Sequence, residues 1–126
     1  MYAIDIYVSG VYFGMMRETV VEMPEFQRRA KAVMTDAERE ELIDFLSANP
    51  VAGVSLGGGL RKVRFARQGG GKSGGFRTIH YFRPPKGPVF LLTLFAKNEK
   101  SNLTTKETEY LIQLGEAIAL EQRKPK

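Results

Sequence analysis

GGLRKVRFARQGGGKSGGFRTIHYFRPPKGPVFLLTLFAKNEK, residues 58–100, is the stretch on which the fold turns. Leu60 to Arg67 alternates, with Val63 and Phe65 pointing one way and Lys62 and Arg64 the other, as a half-buried strand requires. Phe76 to Arg83 is a second run rich in aromatic and β-branched residues, which favour strands. Val89 to Ala96 is almost continuously apolar, the pattern of a central strand. Gln68 to Gly75 is a glycine-rich link, and Pro84-Pro85-Lys86-Gly87-Pro88 is a turn. Links this short join neighbouring strands, so the three runs predict an antiparallel meander.

Working outward, the segment before the meander reads as two helices. Met23-Pro24-Glu25-Phe26 opens the first, with Phe26, Ala30 and Val33 at helical spacing and Arg28, Arg29 and Lys31 outward. Thr35-Asp36-Ala37-Glu38 is a capping box for the second, whose buried side is expected to be Leu42, Ile43, Phe45 and Leu46. Asn49-Pro50 ends it, because a residue before proline avoids helical angles. Val51 to Gly59 reads as a loop. Beyond the meander, Thr104-Thr105-Lys106-Glu107 caps a third helix that buries Leu111, Leu114 and Ile118 and frays at 123–126. The expected class is α+β: a small antiparallel sheet, two helices before it and one after, packed on one face and leaving the other to basic residues. Residues 17–126 are expected to form one domain. Residues 1–16 are either an added strand or an upstream extension of a chain starting at Met15 or Met16.

The 126 residues suit one domain, and 43% apolar content suffices for a core. The absence of cysteine excludes disulfides, thiolate metal sites and a thiol nucleophile; a single histidine excludes a polyhistidine cage or a histidine acid–base pair. The net charge of +5 hides an uneven distribution. Residues 1–60 carry −4, residues 61–100 carry +9 with Glu99 their one acid, and residues 101–126 balance. A local field of that sign attracts polyanions, nucleic acid above all. The apolar opening is broken by Asp5 and is shorter than the ~20 residues of a spanning helix, and it lacks a basic leader and a cleavage site. No membrane association is expected.

Ala66 to Ser73, ARQGGGKS, matches a relaxed phosphate-loop pattern. That loop needs a helix directly after its lysine, to bring backbone amides and the helix dipole to the phosphates. A β-rich run follows instead, which argues against nucleotide binding. The more informative set is Arg61, Lys62, Arg64, Lys72, Arg77 and Lys97, which a short meander can gather on one surface to meet phosphate oxygens. Tyr81 and Phe76 could stack bases. His80 alternates with Thr78 and Phe82, away from Arg77 and Tyr81, and so reads as structural.

The segments 58–66, 71–77 and 91–100, taken in that order, resemble the RelE/HigB family of toxins from toxin–antitoxin pairs. The resemblance covers about residues 17–122 and is strongest over 57–107. It implies a RelE-like, microbial-RNase-type fold and a metal- and cofactor-independent endoribonuclease that cleaves mRNA on the ribosome in the cytoplasm. It also implies an antitoxin, a helix-turn-helix protein encoded alongside, with DNA contacted only through the toxin–antitoxin complex. Residue by residue, Lys62 and Arg64 match basic strand positions at the scissile phosphate, Arg77 the arginine that stabilises the phosphorane, and Lys97 and Lys100 the basic segment after the last strand. Lys62, Arg64, Arg77 and Lys97 are thus the expected catalytic set, and Arg61, Lys72, Tyr81 and Lys100 the expected RNA contacts. Some members carry arginine where Asn98 stands and tyrosine near Thr104, so the resemblance does not by itself assign the acid and the base here. Lys62 or Lys97 is the expected base, with Glu99 or Tyr81 behind. Two other classes stay open: a ParE-like toxin that inhibits DNA gyrase by binding, and a non-catalytic RNA-binding module.

Overall fold

Proline fits the first turn of a helix, where its missing N–H has no partner to lose. Pro24 begins α1 (Pro24–Val33) in this way, and Phe26 and Ala30 form its buried stripe. The computed structural model describes residues 2–4, 15–66, 75–83, 87–96, 99 and 102–123. Thr35 caps α2 (Asp36–Ala48): its hydroxyl accepts from the Glu38 amide, and the Glu38 carboxylate accepts from the Thr35 amide. Leu42 and Leu46 are fully buried, whereas Val33 and Phe45, both expected in the core, are exposed. Periodicity marks one side of a helix but not how far its covering layer reaches.

The predicted meander is present as β5 (Leu60–Phe65), β6 (Phe76–Tyr81) and β7 (Val89–Ala96). The sheet is larger than the meander and mixed. Before β5 lies β4 (Val54–Gly57), in the segment expected to be a loop, and Gly57, Gly58 and Gly59, all at positive φ, turn one into the other. On the far side β3 (Val20–Glu22) runs parallel to β7. The order is β3-β7-β6-β5-β4. A separate antiparallel pair, β1 (Tyr2–Ile4) and β2 (Met15–Arg17), straddles the expected boundary at residue 16. The Arg17 guanidinium of that pair donates to the Asp44 carbonyl of α2.

The third helix, α3 (Thr105–Arg123), carries the second predicted capping box, with the Thr104 amide on the Glu107 carboxylate and the Glu107 amide on the Thr104 hydroxyl. Its placement corrects the one-sided packing expected from sequence. Phe26, Leu42 and Leu46 share a core with Val63, Phe76, Leu91 and Leu94 on one face of the sheet. Leu111 and Ala119 of α3 share another with Leu60, Ile79, Tyr81, Phe90 and Phe95 on the opposite face. A run as apolar as β7 calls for this, since both of its faces must be covered. A bulge keeps them both supplied. Ile79 pairs with Thr93 but His80 pairs with Leu91, so Leu92 is the extra residue and the alternation resumes out of step beyond it. No helix among the described residues is long and apolar enough to cross a membrane.

Candidate functional site

Strand register decides which cations meet. Arg64 lies opposite Arg77, and Lys62 lies opposite Ile79, a residue of the core beneath α3. Alternation then sets Lys62, Arg64 and Arg77 on the α3 face of the sheet. Directly opposed residues of such a ladder have Cβ atoms about 5 Å apart, and like charges there repel. The arrangement favours an anion that offsets both.

Arg77 sharpens the point. It is only 8% exposed, and its Nη1 has no hydrogen-bond partner among the described residues. A buried donor left unmatched costs about 1–3 kcal/mol, and more when charged. A phosphate oxygen would supply the missing acceptor, and the planar guanidinium suits it. Arg64, on the neighbouring strand, is exposed. Lys62 donates from Nζ to Asn102 Oδ1 at 2.7 Å, which ties it to the segment leading into α3.

The other expected residues divide. Arg61 points to the opposite face, where Nε donates to the Ala52 carbonyl at 3.1 Å and Nη2 to the Gly53 carbonyl at 3.0 Å. It braces the approach to β4 and stands apart from the cluster of Lys62, Arg64 and Arg77. Tyr81 is on the α3 face but 2% exposed, with its ring packed under Gly115 of α3. Phe76 is equally buried, in the core on the other side. Lys72, Lys97 and Lys100 lie outside the described residues, as does most of the glycine-rich link; the strand β6 follows that link directly.

Glu99 is engaged rather than poised as a base. Its carboxylate receives both contacts from Arg29 Nη2, at 2.9 and 2.7 Å, and the Ala96 amide at 3.0 Å. Arg29 Nε in turn donates to the Leu94 carbonyl at 2.6 Å. These contacts border a cleft of about 500 Å³ between α1 and the start of α3, lined in part by Glu25, Thr93 and Tyr110; Lys62, Arg64 and Arg77 do not line it. His80 lies on the face away from Arg77, fully buried, with Nε2 2.8 Å from the Pro50 carbonyl. A carbonyl only accepts, so Nε2 carries the proton. Burial pushes its pKa below the usual 6.5, the Pro50 carbonyl draws it back up, and the Arg61 charge adds to the lowering.

Asn102 and Arg29 carry no motif that sequence reading could find, because their roles exist only once distant segments meet. The resulting site is a strip of cations beside the entry to α3, one of them buried with its Nη1 unpartnered among the described residues. It can hold a phosphodiester and offset charge that builds on it. A family model described as RelE toxin of RelE / RelB toxin-antitoxin system matches residues 19–124.

Proposed function

This chain belongs to the RelE toxin family of toxin–antitoxin systems, and from that premise we propose that it is an endoribonuclease that cleaves mRNA on the ribosome. The family implies a cognate antitoxin; we take it to be a helix-turn-helix protein encoded nearby. The observation that supports the nuclease reading most is Arg77, buried and with no acceptor at Nη1 among the described residues, opposite Arg64 and on the same face as Lys62.

In the proposed reaction the ribose 2′ oxygen attacks the adjacent phosphorus while its proton passes to a base. The bond from phosphorus to the 5′ oxygen breaks, and that oxygen takes up a proton. The products are a 2′,3′-cyclic phosphate and a 5′-hydroxyl end. Arg77 and Arg64 fork onto the non-bridging oxygens and offset the charge of the pentavalent state. Lys62, or Lys97 outside the described residues, serves as the base.

The test is to express the chain and map RNA ends. Growth arrest should coincide with new 5′-hydroxyl ends within translated messages. Arg77→Lys keeps the charge but loses the fork, and should slow cleavage about 100-fold with an unchanged melting temperature. Arrest with intact transcripts would overturn the reading, and loss of DNA supercoiling by gyrase in the same cells would replace it with gyrase inhibition.

A further inference from the structure

A lysine ammonium donates three hydrogen bonds and accepts none. Whatever faces Lys62 Nζ at 2.7 Å must therefore be an acceptor, which fixes the Asn102 carboxamide with its oxygen inward. The acceptor is also neutral. A carboxylate of nearly the same shape would bind the ammonium more strongly, cancel its charge and hold its proton in place. The carboxamide orients the amine and does neither.

The surroundings follow the same rule. Between residues 61 and 102 the sequence holds one acid, Glu99. Its carboxylate is occupied by Arg29, a cation brought in from α1, and by the Ala96 amide. Glu107, the next acid along the chain, accepts from the Thr104 amide in the cap of α3. The acids nearest in sequence to the cationic strip are thus directed elsewhere, and the group that does touch Lys62 bears no charge. The cap also fixes where Asn102 sits, two residues before Thr104.

We propose that Asn102 is a positioning residue: it holds Lys62 on the α3 face beside Arg64 and Arg77, and it serves because its side chain is an uncharged acceptor. The proposal rests on the nuclease reading above and assigns a residue outside the expected catalytic set.

The experiment compares Asn102→Ala and Asn102→Asp with the unaltered protein, each full length, in single-turnover cleavage of an mRNA with and without ribosomes. Binding is followed separately with a short single-stranded RNA fully 2′-O-methylated, which cannot undergo the attack. Asn102 is exposed, so melting temperatures should stay together. Removal of the acceptor should slow cleavage about 10-fold, as is usual for groups that orient a reacting residue. Asn102→Asp, closer in shape to the original, should nevertheless be slower than Asn102→Ala and bind the methylated RNA more weakly. Acidification that protonates the new carboxylate should narrow that gap. A purely structural role predicts the reverse ranking. Asp cleaving as fast as Ala or faster would overturn the proposal, as would both variants matching the original. Lys62→Ala and Arg77→Lys run alongside: if the unaltered protein leaves the RNA intact the nuclease reading fails, if it cleaves and these two cleave equally well the cationic site and the positioning role both fail, and if these two are impaired and the Asn102 variants are not, only the positioning role fails.

Discussion

His80 illustrates how a single side chain can look reactive and be structural. It is sealed from solvent and donates to the Pro50 carbonyl, joining β6 to the end of α2. Its pKa is lowered in the folded chain by burial, so the unfolded chain binds more protons at mildly acidic pH. Stability from this residue is complete above the unfolded value of 6.5 and is lost as pH falls below it toward the lowered folded value. Urea unfolding at about pH 7.5 and about pH 5 should therefore show a drop that His80→Gln reduces, since glutamine can still donate to Pro50 but does not titrate. An equal drop in both proteins would assign the acid sensitivity elsewhere. The alternation of Thr78, His80 and Phe82 shows this residue's side of the strand from sequence alone. The same reasoning reaches Lys62 and Arg64 on one strand. It cannot reach the meeting of Arg64 with Arg77, which depends on register, nor Asn102, forty residues from Lys62 along the chain.

At the scale of elements, α3 is held close to the sheet by a missing side chain. A Cβ on Gly115 would lie 2.2 Å from Tyr81 Cδ1, inside any permitted contact. Glycine is otherwise a poor choice in a helix, by about 1 kcal/mol against alanine. Gly115→Ala should destabilise by about 1–3 kcal/mol in spite of that gain, because either the helix or the ring must move. Chemical denaturation measures it, and a stabilised variant would show that α3 sits less tightly than described. The burial of Tyr81 has the same origin. From its own strand it reads as a half-exposed aromatic, and only the helix arriving from far along the chain encloses it. The two short strands escape sequence reading for a different reason: three residues in β3 and four in β4 are too few to establish a period, and partners elsewhere define them. Both capping boxes, by contrast, are complete within four residues and were foreseeable from sequence.

For the molecule as a whole, charge placement separates binding from folding. Cations that contact phosphates release counterions, and each such contact on a single strand contributes about 0.7 to the slope of log affinity against log salt. Arg64→Ala should lower the slope for the methylated RNA by about that amount. Arg61→Ala should leave it unchanged, although Arg61 lies next in sequence to Lys62, because its guanidinium is committed to the Ala52 and Gly53 carbonyls. Fluorescence anisotropy over a salt series decides between them. Equal slopes for both variants would mean a diffuse field rather than a site.

The two-sided packing has a consequence for the order in which the protein matures. Every strand of the described sheet precedes α3 in the chain. During synthesis the first core, on the α1 and α2 side, can close while the second face still waits for Leu111 and Ala119. Until that helix emerges, Phe90 and Phe95 have no cover from it and Lys62 has no Asn102 to meet. A nascent chain therefore passes through a half-dressed stage, greasy on one side and unable to assemble its cationic strip, until α3 has emerged and docked.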